Sequence, residues 1–310
     1  MRISFIIPMK NAGRYIRMCL EAIISEMMIG DELIVIDNGS SDDSVFIVKH
    51  IENVVLLHCP EGTIGFLRNH GSSHSQGDIM AFIDADCIIS PGWRAKVVKT
   101  LADDDIAAVG SRYEIPENAK WIEKAWFSQK TALAAPAKYI NSGNFAIKKE
   151  SFAQVGGFDE KLITGEDAEL GWRLNAKGYV IIEDPEVECI HLGNPKTLKD
   201  FYNKQKWHAL GMMGTFKQSF WDKPLLMTIA FIFSISASVI TFPWLLRRSK
   251  GFLEMVALIG WVPCLTAVYR EYQYKNIVYF PHLILLYLIY FIARSHAFIE
   301  ILGNLLPGRN

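Results

Sequence analysis

An uncharged run of 22 residues at positions 225–246 restricts the possible structures of this chain more than any other feature. As a helix, the run is long enough to cross a hydrocarbon layer about 30 Å thick. Two further apolar runs follow, at 251–268, where Glu254 interrupts the pattern near its start, and at 277–293, where 17 residues carry no Asp, Glu, Lys or Arg. A buried helical hairpin is the alternative, but three such runs in succession favour membrane spans. We therefore predict a membrane region with two or three hydrophobic segments at residues 224–310.

The charges around the first run leave its orientation open. Arg247, Arg248 and Lys250 form a basic loop directly after it, and the positive-inside rule would place this loop in the cytoplasm. The N-terminal apolar stretch is too short for a signal peptide and has no small-residue cleavage site, so we expect a cytoplasmic first domain. A full crossing after that domain would put the basic loop outside. Either the first two runs form a re-entrant hairpin, or the first domain outweighs the short basic cluster.

Residues 1–195 alternate short apolar runs with helical patterns. Runs typical of buried parallel strands lie at 3–7, which Pro8 ends, and at 32–36, 54–58 and 79–83. Helical spacing of apolar residues covers 11–25, and Ser40 or Ser41 can cap a second helix that continues to about His50. This rhythm predicts an α/β domain whose parallel sheet carries helices on both faces.

Residues 196–223 mix basic side chains with large apolar ones, among them Phe201, Trp207 and Phe216. The mixture predicts an amphipathic helix that lies in the membrane interface. A helix that packs on a protein core has the same apolar stripe, so both interpretations stay open.

Acidic residues follow two of the predicted strands at the point where each ends. Asp37 follows the second strand, and Asp84 and Asp86 follow the fourth. Ligands bind at the carboxyl ends of strands in such sheets, and carboxylates separated by one residue can meet Mg²⁺ or Mn²⁺ together with the diphosphate that the metal binds. The three Asp residues at 103–105 do not follow an apolar strand, and we expect them to form a solvated turn.

Two further places can carry chemistry. Glu166 and Asp167 fall in the first turn of a predicted helix, where acids either serve a reaction or complement the helix dipole. His191 follows an apolar strand and is either a metal or diphosphate ligand or a structural residue. At the level of single residues, both interpretations remain for each place.

Composition and local motifs argue against several classes of function. The chain has 32 Lys and Arg against 33 Asp and Glu, a net charge of −1, so we expect no nucleic-acid partner, which would require an excess of basic residues. Its five cysteines form no C-x-x-C pair, which argues against a zinc cluster. No G-x-G-x-x-G follows the first strand, which disfavours a dinucleotide dehydrogenase.

An ordered series of short motifs across residues 2–193 resembles the family 2 glycosyltransferases, which are inverting enzymes of the GT-A fold. The motifs are, in order, Ile6-Ile7-Pro8, Asp37-Asn38-Gly39-Ser40-Ser41-Asp42, Gly65-Phe66-Leu67-Arg68-Asn69, Gly77-Asp78, Asp84-Ala85-Asp86, Asn141-Ser142-Gly143-Asn144-Phe145, Gly156-Gly157-Phe158-Asp159 and Gly165-Glu166-Asp167. No single motif is specific, but the ordered series is. The resemblance implies a membrane-attached bacterial enzyme with a Rossmann-like mixed sheet, covered by helices on both faces, over residues 1–195.

The resemblance implies a donor-binding role for five positions. Asp37 would hydrogen-bond the nucleobase of a nucleotide-diphosphate sugar, on a floor shaped by Pro8 and Asn11. Arg68 would face the nucleotide or its phosphates, where a guanidinium fork suits recognition. Asp84 would contact the ribose or a metal-bound water.

Five other positions would serve the metal and the acceptor, again as the resemblance implies. Asp86, with His191 as a further ligand, would bind Mn²⁺ or Mg²⁺ and so neutralise the leaving diphosphate. Asp167 would be the general base that removes the proton of the acceptor hydroxyl. Glu166 and Trp172 would lie on the acceptor side.

These roles predict the inverting transfer of one sugar to a lipid-linked or glycan acceptor at the inner membrane, with a cytoplasmic catalytic domain, as in cell-surface polysaccharide or glycolipid synthesis. We do not expect a processive activity, because Lys204-Gln205-Lys206-Trp207 lacks the spacing and the Arg of the Gln-x-x-Arg-Trp motif. A polyprenyl phosphate is an alternative acceptor. A nucleotidyltransferase is disfavoured by the single Gly at 8–13, and a non-catalytic membrane scaffold by the acids at strand and helix ends.

Overall fold

The computed structural model describes residues 1–128, 132–214, 223–274 and 277–305. The chain divides into two compact units. The first unit contains Met1–Asn118 and Ser128–Asn194, and the second contains Ala119–Phe127 and Pro195–Asn310. The segment Ala119–Phe127, which sequence analysis assigned to the first domain, therefore lies in the second unit.

The secondary-structure elements of both units follow in chain order. They are β1 (Ile3–Met9), α1 (Ile16–Glu26), β2 (Glu32–Asp37), α2 (Ser44–Lys49), β3 (Val54–His58), α3 (Ile64–Ser73), β4 (Ile79–Ile83), β5 (Cys87–Ile89), α4 (Trp93–Leu101), β6 (Ile106–Gly110), α5 (Trp121–Phe127), β7 (Ala135–Pro136), β8 (Asn144–Lys148), α6 (Lys149–Val155), α7 (Glu166–Ala176), β9 (Val180–Glu183), β10 (Cys189–His191), α8 (Leu198–Gly214), α9 (Lys223–Leu245), α10 (Gly251–Tyr274), a 3₁₀ turn (Ile277–Tyr279) and α11 (Phe280–Leu305).

The first unit is built on an eight-stranded mixed sheet with the order β3-β2-β1-β4-β8-β6-β9-β7. Strands β1 to β4 are parallel, whereas β8 runs antiparallel to both of its neighbours, β4 and β6. A separate two-stranded sheet pairs β5 with β10. The predicted α/β fold with a Rossmann-like mixed sheet is confirmed, and its parallel strands bring Asp37 and the Asp84 region to the same edge.

Hydrophobic clusters cover both faces of this sheet. Alternate residues of β1 point to opposite faces, so Phe5 packs in one cluster with helices α1 and α4, while Ile6 packs in the other with α3, α6 and α7. Trp93 of α4 is fully buried in the first cluster, where its indole nitrogen donates to Asn144 Oδ1 at 2.9 Å. Burial on both faces accounts for the nearly continuous apolar runs of β1, β2 and β4.

One predicted strand end and one predicted helix cap were wrong. Strand β1 continues through Pro8 to Met9, because its pairing with β4 stops at Ile6 and only β2 pairs with it beyond that point. Helix α2 begins after Asp43 instead of Ser40 or Ser41. Both serines bond to the loop after β1 instead: Ser40 Oγ accepts from the Asn11 N–H, and the Ser41 N–H donates to Asn11 Oδ1.

Helix α1 begins at Ile16, five residues later than the prediction of 11–25. Asn11 has a φ of 51°, in the left-handed region, so it belongs to a tight loop and cannot open a helix. The side chain of Asn11 ties this loop to the loop after β2. The two loops at the strand ends are therefore held together.

In the second unit, three helices among the described residues are long and apolar enough to cross a membrane: Lys223–Leu245, Gly251–Gln273 and Phe280–Ile301. This confirms the predicted hydrophobic segments as helices. Helix α8 occupies most of the predicted amphipathic segment, and residues 215–222 lie outside the described residues. Phe201 of α8 is fully buried and Trp207 is exposed, while Lys206 Nζ bonds Glu300 of α11 at 2.7 Å.

Candidate functional site

Asp37 is held by its neighbours at the end of β2. Its side chain is buried; Oδ1 accepts from the Ser40 N–H at 3.1 Å, and Oδ2 lies 3.0 Å from Nδ1 of His58. His58 is the last residue of β3, and 68% of its side chain is exposed. Pro8 is buried beside Asp37 in the paired strand. A fixed carboxylate thus lies at the edge of the sheet, next to the loop that contains Asn11.

Arg68 joins the strand-end acids to the acids of α7. Only 3% of Arg68 is exposed. Its Nη2 donates to Asp84 Oδ1 at 2.8 Å, and its Nη1 donates to Glu166 Oε1 at 2.6 Å. Burial acts to lower the pKa of Arg68, but the Asp84 and Glu166 carboxylates outweigh it and hold the pKa above its ordinary value. The charged arginine therefore links two parts of the site that are far apart in sequence.

Replacement of Arg68 by Met is expected to destabilise the protein. The substitution leaves Asp84 and the buried Glu166 without their shared cation, and removal of one partner of a buried ion pair typically costs about 3–5 kcal/mol. Thermal unfolding of the purified protein in detergent measures the change as a lower Tm. Arg17→Met is the matched control, because the pair that Arg17 forms with Glu21 at 3.8 Å is exposed and contributes less than about 1 kcal/mol. Equal Tm values for the two variants would contradict a stabilising role of the Arg68 ion pairs.

Asp86 and His191 approach each other from two connected elements. Asp86 lies between β4 and β5, and the pairing of β5 with β10 brings the His191 Nε2 to 3.5 Å from Asp86 Oδ1. The Leu192 N–H bonds the Asp86 carbonyl at 2.9 Å. A side chain at Gly193 would clash with the Asp86 carboxylate, so glycine leaves room for that carboxylate to approach the backbone.

These two side chains fit a divalent cation. Ligand atoms of Asp86, His191 and Cys87 all lie within 4.8 Å of one another. Carboxylate oxygen and imidazole nitrogen are donors that Mn²⁺ accepts. Cys87 is fully buried, and burial raises the pKa of its thiol well above the ordinary value. Asp86 and His191 are therefore the ligands that this part of the chain offers.

Asp167 lies half-buried in the first turn of α7. It borders a small gap together with Ser142, Phe158 and Leu170. Burial, and then the adjacent charge of Glu166, raise the pKa of Asp167 to about 7, although its own helix terminus favours the ionised form. A carboxyl group with this pKa can accept and release a proton near neutral pH.

The other two predicted acceptor-side residues differ in their surroundings. Glu166 is buried, and it accepts from Ser142 Oγ at 3.2 Å as well as from Arg68. Trp172 lies five residues after Asp167 on α7 and is 55% exposed. Glu166 is therefore engaged within the protein, whereas Trp172 offers an open aromatic surface.

Several residues that line the site were not predicted from the sequence to have a role. The Tyr113 hydroxyl lies 3.5 Å from Asp84 Oδ2, and a side chain at Gly143 would clash with both groups. Ser142 and Gly143 belong to a motif noted above, which was the available signal. Tyr113 follows a strand without a recognisable pattern. His58 could have been found from the register, because it pairs with Asp37 across β2 and β3.

Comparison with known proteins agrees with this fold. Residues 4–157 match the family model for glycosyl transferase family 2. Glycosyltransferase AglE of Haloferax volcanii is 26% identical over 205 residues, which are 62% of this chain and 67% of the relative. The uncharacterized glycosyltransferase YibD of Escherichia coli is 36% identical over 109 residues, 34% of this chain and 32% of that protein. Residues 4–157 belong to glycosyl transferase family 2.

A solved structure supports the fold over almost the whole chain. The mannosyltransferase PcManGT from Pyrobaculum calidifontis, determined in complex with GDP-Man and Mn²⁺, aligns with a TM-score of 0.63 and 20% identity. The alignment covers 97% of this chain and 87% of that protein. At this identity the likeness establishes the fold, and the roles of individual residues remain predictions.

Proposed function

We propose that this chain transfers a single sugar from a nucleotide-diphosphate sugar to a hydroxyl group, with inversion at the anomeric carbon. The observation that carries the proposal is Asp167, a half-buried carboxyl group with a pKa of about 7. Glu166, next to Asp167 in sequence, is linked through Arg68 to Asp84 at the strand ends. One base and one direct displacement give inversion.

The donor binds at the ends of β1, β2 and β4. Asp37 accepts a hydrogen bond from the nucleobase, and the loop of Pro8 and Asn11 supports the base from one side. Asp84 receives the ribose. The anchored Asp37 side chain and the bonds between the two loops support this assignment, because a preorganised pocket loses little entropy when it binds. Arg68 acts through Asp84 and Glu166, which its two nitrogens already contact.

Asp86 and His191 hold a divalent cation, Mn²⁺ or Mg²⁺. When bound, the cation neutralises the negative charge that develops on the leaving diphosphate. The geometry of the two side chains and the Mn²⁺ in the PcManGT complex support this assignment.

The acceptor is a lipid-linked or other membrane-proximal glycan, and the enzyme works at the inner membrane with its catalytic unit in the cytoplasm. Three apolar helices support membrane attachment. The exposed ring of Trp172, on the same helix as Asp167, suits contact with the acceptor because aromatic side chains commonly line ligand sites.

The pH dependence of kcat/KM is expected to show an acidic limb near pH 7. Asp167 acts as a base only when ionised, so activity falls as pH decreases through its pKa of about 7. Glu166→Gln removes the adjacent charge that raises this pKa and is expected to move the limb to lower pH. Rates measured from pH 5 to 9 at low substrate concentration test this. A limb that stays in place in Glu166→Gln, or that survives in Asp167→Asn, would contradict the assignment.

Isothermal titration calorimetry separates the enzyme from a membrane scaffold that has kept only the fold. UDP and GDP are titrated into the purified full-length protein in detergent, each with and without Mn²⁺. The proposal requires at least one nucleoside diphosphate to bind more tightly when the metal is present. Failure of both to bind under either condition would favour the scaffold.

A further inference from the structure

Basic and aromatic side chains of α5, α8, α10 and α11 form a cluster in the second unit. We call the set Trp126, Phe127, Lys204, Arg270, Tyr287, Tyr290 and Arg294 the cationic aromatic cluster. Its rings are in contact: Trp126 lies 4.9 Å from Tyr287 and 5.6 Å from Tyr290, measured between centroids. The cluster therefore joins four helices within one unit.

Arg270 is fixed at the centre of these rings. Its guanidinium lies 4.5 Å from the centroid of Trp126 and 5.9 Å from that of Tyr287, and it donates to the Trp126 carbonyl. Cation–π contacts with two rings hold the guanidinium plane in one orientation. An arginine positioned in this way has lost much of its rotamer entropy before any ligand arrives.

Arg294 and Lys204 extend the positive charge along α11 and α8. The guanidinium of Arg294 lies 4.3 Å from the centroid of Tyr290, and Lys204 Nζ lies 5.9 Å from that of Phe127. His208 also lies on α8, close enough to Lys204 and Arg294 for their charges to act on it. Burial, and then the charges of Lys204 and Arg294, lower the pKa of His208 to about 3. The imidazole is therefore neutral at physiological pH and adds no charge to the cluster.

The position of these arginines in the sequence is informative. Arg270 lies in the apolar helix Gly251–Gln273, and Arg294 lies in Phe280–Ile301. Basic residues in such helices are energetically costly and usually mark a functional site. Basic pockets between membrane helices bind the head groups of anionic lipids, and arginine pairs with phosphate through two parallel hydrogen bonds.

We propose that the cationic aromatic cluster binds the phosphate group of an anionic membrane lipid. Arg270 and Arg294 bond the phosphate oxygens, Lys204 adds a point charge, and the aromatic rings contact the adjoining apolar chain. The site needs no sugar donor, and so it stands independently of the transfer reaction proposed above.

Lipid retention by the purified full-length protein tests this site. The protein is placed in phosphatidylcholine nanodiscs with or without phosphatidic acid, and bound lipid is counted by native mass spectrometry. Wild type is expected to retain phosphatidic acid in preference to phosphatidylcholine. Arg294→Gln and Lys204→Gln are each expected to weaken this retention about tenfold or more. Arg247→Gln and Lys250→Gln change exposed basic residues of the α9–α10 loop and are expected to leave it unchanged.

Two further arms keep the test decisive. Inorganic pyrophosphate is added as a competitor; if it binds as tightly as phosphatidic acid, the site belongs to a soluble anion and the lipid assignment is wrong. Arg270→Lys keeps the charge but loses the guanidinium fork, and an intermediate loss of retention is expected when its Tm matches that of wild type. Retention by Arg294→Gln and Lys204→Gln equal to that of wild type would overturn the proposal.

Discussion

Replacement of Asp167 by Asn is expected to lower kcat for sugar transfer by about 10²–10⁴-fold, the usual contribution of a general base. Asparagine keeps the size of the side chain but cannot accept the proton of the acceptor hydroxyl. Because the donor is assigned to other residues, its Kd is expected to change little. Initial rates with a nucleotide sugar, together with donor titration of the same preparation, measure both effects.

Asp104→Asn is the matched control for this substitution. Asp104 is an exposed aspartate of the first unit, outside every part of the proposed site, and its replacement is expected to leave kcat unchanged. Wild-type turnover in Asp167→Asn would remove Asp167 from the role of base. Loss of donor binding in that variant would assign it to the donor site instead.

The same substitution is expected to stabilise the protein at alkaline pH. The pKa of Asp167 is about 7 in the folded protein and about 4 in an unfolded chain. The raised value means that the ionised group destabilises the fold fully above pH 7 and not at all below pH 4. Asp167→Asn removes this penalty, which we place at on the order of 1–3 kcal/mol at pH 8. A higher Tm at pH 8, with no gain at pH 4, is the expected result.

Replacement of Asp86 by Asn is expected to abolish the effect of Mn²⁺ on nucleotide binding. A residue that only orients a metal ligand typically contributes 10–100-fold to affinity, so loss of a carboxylate ligand is expected to weaken metal-dependent binding by more than about 100-fold. Binding of the nucleoside diphosphate without metal is expected to remain weak and unchanged. Calorimetric titrations with and without Mn²⁺ measure the difference.

His191→Gln and Asp105→Asn complete this series. His191 Nε2 lies 3.5 Å from Asp86, so its loss is expected to weaken the metal effect less than the loss of the carboxylate does. Asp105 is exposed, and its replacement is expected to have no effect. A full Mn²⁺ response in Asp86→Asn would place the metal elsewhere.

Buried strands were the most predictable part of this molecule. The run at 79–83 agrees with β4 to the residue, because a strand covered on both faces is apolar throughout and stops at polar turn residues. The run at 54–58 also agrees with β3 to the residue, although this edge strand is only partly buried. Helix starts were less predictable. The apolar pattern of α1 continues into a loop that Asn11 holds by long-range bonds, and local spacing does not reveal such bonds.

The residue types of the candidate site were predictable, but their partners were not. Acids at strand and helix ends stand out in a sequence, as Asp37, Asp84 and Asp167 do. The pairing of Arg68 with Glu166 spans 98 residues and arises only when α3 and α7 meet on one face of the sheet. Tyr113 has no local signal at all, since its proximity to Asp84 depends on the fold alone.

Release of nucleoside diphosphate tests the central claim most directly. Purified full-length protein with Mn²⁺ is incubated with a panel of nucleotide sugars, in the presence and absence of a bacterial membrane lipid extract, and the released UDP or GDP is measured. The proposal predicts release from at least one donor, stimulated by the extract and lost in Asp167→Asn. Absence of release from any donor in wild type, or equal release in wild type and Asp167→Asn, would contradict it.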